Sequence, residues 1–151
     1  MSSDPDSDPE SIFTVTVGLY AGVLVVRATG QLTEVSAPLL RARLSSLWDF
    51  ADIPTIIIDL DDVVFCDSAG LAELIDAQRH SRAHGRHLIL AGPGTQLTQL
   101  LEITGLRTHF EIHPGTAPAL RAAIRARARP GTGVPLAQAG TDSSSAPSKG
   151  G

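Results

Sequence analysis

One hydroxyl in this chain stands where phosphate chemistry is favoured, in the run Val63-Val64-Phe65-Cys66-Asp67-Ser68-Ala69-Gly70-Leu71. The four residues before Asp67 are apolar and read as the end of a buried strand. After Ser68 come Leu71, Ala72, Leu74, Ile75 and Ala77, with Glu73 and Asp76 between them, which is helical spacing. Ser68 therefore falls in the first turn of a helix. The first amides of a helix lack partners within it, and its N-terminal end carries a partial positive charge. A phosphoryl group on Ser68 would be held there rather than resisted. Asp67 and Ser68 are also common helix caps. Gly70 and Leu71 stand where a capping box needs Glu or Gln. Taken alone, the string is compatible with a plain cap.

Other reactive constellations carry less. A serine hydrolase turn reads Gly-x-Ser-x-Gly, and Cys66 stands in place of the first glycine. His80 and His84 lie four apart with His87 nearby, a spacing zinc accepts, but no Glu follows His80 and no cysteine ligands accompany them. Gly92-Pro93-Gly94-Thr95 lacks the Gly-Lys-Ser/Thr ending of a phosphate loop and reads as a turn followed by a helix cap. Arg121, Arg125, Arg127 and Arg129 place positive charge near the end of a final helix, where it suits the dipole. No catalytic residue, metal or cofactor is expected, and the chain does not read as an enzyme.

These residues need elements to position them, and hydropathy patterning supplies the order. Phe13, Val15 and Val17 alternate with threonines as a half-buried strand, Gly18 to Gly22 turn the chain, and Val23 to Val26 return, closed by Gly30. Leu39, Leu40, Leu44 and Leu47 lie at helical spacing between Val35 and Trp48. Thr55 to Leu60 is nearly all apolar and β-branched, as in a strand covered on both faces. The Ser68 helix runs to about Ala83, where His84-Gly85 stop it. A strand at 87–91, a helix capped by Thr95 and ending near Gly105, a short strand at 110–113 and a helix at 117–128 complete the pattern. The order β-β-α-β-α-β-α-β-α implies an α/β fold with a mixed sheet, parallel after its first strand.

Composition bounds the function. Apolar residues make up 42% and aromatics 4%, so one core built from Val, Ile, Leu and Ala is expected. Residues 1–10 hold four acidic side chains among Ser and Pro and read as disordered, 11–129 as the domain, and 130–151 as a flexible Gly/Pro/Ser-rich tail. Between Ser11 and Pro130 eleven acidic residues balance eleven basic ones, which gives no footprint for nucleic acid. No apolar run is long enough for a membrane span and no signal peptide is visible. Cys66, the only cysteine, reads as a small buried strand residue, and the expectation is a cytoplasmic protein.

The run Asp67-Ser68-Ala69-Gly70-Leu71 resembles, position by position, the phosphorylation site of the STAS-domain anti-anti-sigma factors of bacteria. The likeness extends from about Ile12 to Arg129. Gly30 and Leu32 look like the loop after that family's second strand, 56–59 like its central strand, and 101–106 like its helix ending in Gly-Leu. The resemblance implies a STAS fold of about five strands and four helices. It also implies a partner-switching function. The unphosphorylated surface around Ser68 (Asp67, Ala69, Gly70, Leu71, Gln31 and Thr33) would bind an anti-sigma factor with serine kinase activity and so release a sigma factor. Phosphorylation of Ser68 would end that binding, and a phosphatase would restore it. ATP and Mg²⁺ would come with the partner. One departure bears on this: relatives read Gly-Glu-Leu-Asp where this chain has Gly30-Gln31-Leu32-Thr33, so two carboxylates are missing. The alternative reading is a STAS scaffold or sensor that binds a partner or small ligand with Ser68 as a helix cap only.

Overall fold

The computed structural model describes residues 12–49 and 53–128. The expected acidic N-terminal segment and the Gly/Pro/Ser-rich tail lie outside the described residues. The elements are β1 (Thr14–Tyr20), β2 (Val23–Leu32), α1 (Ala37–Leu47), β3 (Thr55–Cys66), α2 (Ser68–Ala83), β4 (His87–Ala91), α3 (Thr95–Ile103), a 3-10 turn (Arg107–His109), β5 (Glu111–His113) and α4 (Thr116–Ala128). The five strands form one sheet in the order β1-β2-β3-β4-β5. β1 pairs antiparallel with β2 and every other pairing is parallel. The chain divides into two units, residues 1–120 and 121–151. The described part of the second unit is the end of α4.

The hairpin is tighter than the glycines suggest. Gly18 stays in β1, paired with Val25, and the ladder runs on to Tyr20 opposite Val23. The reversal is made by Ala21 (φ 53°) and Gly22 (φ 81°) alone, two left-handed residues whose twist matches the strands they join. Gly30 does not close β2 either. At φ 110° it absorbs a register shift before Gln31, and the strand continues to Leu32 opposite Cys66. A β-carbon at position 30 would collide with the Ile12 carbonyl.

β3 is longer than the apolar run at 55–60 implies, reaching Cys66 as one strand of 12 residues. Its first half pairs with β2 and β4, and Ile56, Ile57 and Ile58 are fully buried. β4 ends at Ala91 opposite Asp59, so the second half pairs with β2 only and exposes Asp61, Asp62, Val64 and Phe65. The sequence splits this strand because its exposed half carries two carboxylates.

The helices bury stripes of leucine. Leu40, Leu44 and Leu47 of α1, Leu71 and Leu74 of α2, and Leu97 and Leu101 of α3 share one core with Leu24, Val26, Ile56, Ile58 and Leu90 of the sheet. Leu39 falls outside the stripe and is 56% exposed, contrary to its helical spacing with Leu40. The cap of α3 is also corrected. Gly94, extended at ψ −179°, is the capping residue and its carbonyl accepts from Thr98, while Thr95 is the first helical residue. No helix among the described residues is long and apolar enough to cross a membrane.

α1 and α2 are tied by charge as well as by packing. Glu73, 4% exposed, accepts from Arg41 Nε at 3.0 Å. Burial of a lone carboxylate is costly, so Arg41→Ala is expected to lower stability by about 1–3 kcal/mol, less than for a fully buried pair because Arg41 is solvent-screened. The double change Arg41→Met/Glu73→Leu is expected to recover most of that loss in urea unfolding, since no charge then remains buried.

Candidate functional site

Asp67 links β3 to α2 and is bonded in three directions. Its own amide donates to the Leu32 carbonyl at 3.1 Å, in continuation of the parallel β2–β3 ladder. Its side chain caps α2: Oδ1 accepts from the Gly70 amide at 2.9 Å. Oδ2 accepts from the Glu34 amide at 3.3 Å, which ties the bend after β2 to the start of the helix. The same bend is held from within by Ser36, whose hydroxyl donates to the Gln31 carbonyl at 2.6 Å and accepts from the Thr33 amide at 2.9 Å.

Ser68 follows as the first residue of α2. Its side chain is exposed, and its hydroxyl makes no hydrogen bond to any described residue. The cap takes the Gly70 amide and leaves the amides of Ser68 and Ala69 at the open end of the helix. The site residues then divide by burial. Gln31, Glu34 and Ser68 are exposed, and Thr33, Asp67 and Ala69 are half-buried, so these six face outward together. Gly70 and Leu71 are buried and hold the helix against the sheet from beneath. Gly70 admits no larger residue. A β-carbon there would collide with the Leu32 carbonyl oxygen and lie 2.9 Å from the Cys66 sulfur.

Gln96 of α3, which no sequence motif singles out, completes the junction. Its Nε2 donates to the Cys66 carbonyl at 2.7 Å and its Oε1 accepts from the Cys66 amide at 2.9 Å. A glutamine preceding Leu97 in a helix has no signature of its own. Only the break in the β3–β4 pairing, visible in three dimensions, calls for it.

The overhanging half of β3 is acidic, and the bend after β2 is partly apolar. Asp61 and Asp62 are exposed on β3, and Asp59 beneath them is buried and paired with Arg27 at 2.9 Å. That hydrogen bond and charge hold the Arg27 guanidinium above its ordinary value. Val35 (83% exposed) and Leu39 flank a groove lined also by Ile12, Phe13, Gln31, Thr33 and Ser36.

The histidines lie elsewhere. His80 and His84 stack with Trp48, with ring centroids 5.5 Å and 6.5 Å from it. His87 and His113 bond to the two carboxylate oxygens of Glu111, at 2.5 Å and 2.8 Å. Burial alone would raise Glu111, but the hydrogen bonds and charges of His113 and His87 outweigh it and hold the carboxyl below its ordinary value. Among the described residues no group of His, Cys, Asp or Glu is arranged to hold a metal ion.

Cys66 is buried, as its sequence context implies. Burial first, and the Asp67 charge second, push its thiol from 9.0 up to about 12. The folded protein therefore keeps the thiol neutral through the physiological range. Its contribution to stability is complete below pH 9.0 and is lost as the pH rises through about 12. Disulfide-exchange labelling at pH 8 is expected to run at least about tenfold slower in the native protein than in urea. Gly70→Ala is expected to cost about 1–3 kcal/mol by overpacking against Leu32, read as a lower urea midpoint.

Comparison with known proteins identifies the family and the fold. The family model described as STAS domain matches residues 15–119. An anti-sigma-B factor antagonist of Listeria monocytogenes is 31% identical over 83 residues, 55% of this chain and 72% of the relative. The crystal structure of an anti-sigma factor antagonist from Mycobacterium paratuberculosis superposes with a TM-score of 0.63 at 29% identity, covering 74% of this chain and 93% of that one. A sulfate transporter family protein from Wolinella succinogenes shares the fold, with a TM-score of 0.63 at 20% identity over 82% of this chain and 97% of that one.

Proposed function

The chain belongs to the STAS domain family, and we propose that within it the chain acts as an anti-sigma factor antagonist whose partner binding is switched off by phosphorylation of Ser68. The observation that carries this reading is the exposed Ser68 hydroxyl, without a hydrogen-bond partner among the described residues, at the open end of a helix already capped by Asp67. Such a hydroxyl is accessible to a kinase, and its backbone setting does not depend on the hydroxyl itself. The similarity to antagonists from Listeria and Mycobacterium supports the choice of partner class. The anti-sigma factor would contact the outward-facing set of Ser68, Ala69, Gln31, Thr33 and Glu34 and would itself supply ATP, Mg²⁺ and the serine kinase activity. A phosphatase would reverse the modification. This chain would be substrate and binding partner, not enzyme.

Charge explains the switch. A phosphoryl group adds about −1.5 to −2 at neutral pH. It would stand beside Asp67 and close to the exposed Glu34, whose amide is bonded to the Asp67 carboxylate. Docking would then bring a surface selected for a neutral serine against a concentrated negative patch. The helix end tolerates the charge, with a dipole contribution of about 0.3–1 kcal/mol in its favour. The change is thus one of surface potential on an unchanged fold.

The scaffold reading, with no phosphate switch, draws on the Gln31 and Thr33 side chains, which offer no carboxylate near the acceptor, and on the apolar groove beside them. Intact-mass measurement with candidate anti-sigma kinases and ATP separates the two. One added phosphate on the wild type and none on Ser68→Ala is expected, and Ser68→Asp is expected to weaken anti-sigma binding at least about tenfold, or about 1.4 kcal/mol. Stable binding with no phosphate transfer, unaffected by Ser68→Asp, would establish the scaffold instead.

A further inference from the structure

β3 outruns its neighbour on one side. β4 ends opposite Asp59, whereas β3 continues to Cys66. On the β2 side the ladder persists to the end: Leu32 pairs with Cys66 and its carbonyl accepts from the Asp67 amide. In a parallel ladder alternate residues turn their amide and carbonyl to opposite neighbours. The amide and carbonyl of Cys66 therefore face the side that β4 has vacated. Gln96 occupies it. A carboxamide sets an N–H donor group and an acceptor oxygen side by side in one plane, as a peptide group does. Here both are used on one residue, at 2.7 Å and 2.9 Å.

We propose that Gln96 is a positioning residue for Ser68: it replaces the missing strand, fixes the Cys66 peptide on both of its polar groups, and so sets where the first turn of α2 presents the hydroxyl. This rests on the reading of Ser68 as phosphoacceptor. Cys66 lies two residues before Ser68, and the intervening Asp67 is held by Leu32, Gly70 and Glu34. With Gln96 in place the Cys66 amide, the Cys66 carbonyl and the Asp67 amide are all restrained, and the serine starts from a fixed point. Without it, the Cys66 carbonyl loses its donor and the peptide is free to rotate about the one remaining ladder contact. Because phosphoryl transfer depends on alignment at the scale of an ångström, that freedom is read out in turnover rather than in docking.

Two variants separate positioning from folding. Gln96→Met keeps length and volume but removes donor and acceptor. Gln96→Glu keeps the acceptor for the Cys66 amide and opposes the Cys66 carbonyl with a second oxygen. Only when protonated does the introduced carboxyl regain the donor. In phosphorylation by the cognate anti-sigma kinase, both variants are expected to lose kcat by about tenfold or more at neutral pH with KM within about twofold of wild type. In NMR spectra without kinase, the Ser68 and Cys66 amide signals of Gln96→Glu are expected to return toward wild-type positions as the pH falls through the glutamate range. Those of Gln96→Met should stay displaced at every pH. The pH response present in Gln96→Glu and absent from both wild type and Gln96→Met is the one that belongs to the introduced carboxyl. Wild-type kcat in both variants, or a Ser68 amide that does not move in Gln96→Met, would overturn the proposal. If the wild type accepts phosphate from no kinase, the switch reading falls while the NMR arm still decides whether Gln96 positions Ser68.

Discussion

The carbonyl oxygen of Leu32 is the point on which the site depends. It accepts the Asp67 amide and so carries the β2–β3 ladder to its last rung. It also lies so close to the first turn of α2 that only glycine fits at position 70. One backbone atom thereby fixes two things, the end of the central strand and the depth at which the helix begins. Asp67 then uses both carboxylate oxygens to join that helix to the bend after β2. Strand end, bend and helix start behave as one unit because each holds a hydrogen bond that another supplies.

That unit sits where the sheet is incomplete. β3 runs on past β4, so its terminal backbone groups face a gap on one side, and the exposed carboxylates of Asp61 and Asp62 occupy the overhang. Buried or half-buried peptide groups rarely go unpaired, and two devices meet that demand here. The β2 ladder serves one side and the Gln96 carboxamide the other. The hydroxyl of Ser68 takes no part in either. A side chain that no structural bond requires, on a backbone that several bonds restrain, is free for chemistry without cost to the fold.

The electrostatics follow the same division. Acidic groups that the fold needs are buried and paired, as Asp59 with Arg27 and Glu73 with Arg41. Acidic groups beside Ser68, the half-buried Asp67 and the exposed Glu34, form no salt bridge among the described residues. Added negative charge at Ser68 would leave the paired groups untouched and strengthen the field of the exposed ones. Fold alone does not carry this reading, because one sheet-and-helix scaffold serves different tasks. The local chemistry around position 68 does.

The element order, the strand–helix seam at Ser68 and the burial of Cys66 were legible in the amino-acid sequence, because hydrophobic periodicity reports directly on which face of each element meets the core. The resemblance to the STAS family rested on the same residues, Asp67 to Leu71. What periodicity could not report was any feature set by a partner distant along the chain. Gly30 reads as a strand end but bends a strand that continues, because Gln31 and Leu32 find ladder partners in Phe65 and Cys66. Asp61 and Asp62 read as a break but lie inside β3, since an overhanging strand exposes one edge and much of its surface. Leu71 reads as part of a docking motif but is buried, and Gln96 reads as an ordinary helical glutamine but clamps Cys66 from 30 residues away. Sequence alone determined which hydroxyl is presented and on what kind of turn. Tertiary structure decided how firmly it is held, because the groups that hold it come from β2, the following bend and α3, and hydrogen bonds between them exist only once the sheet has assembled.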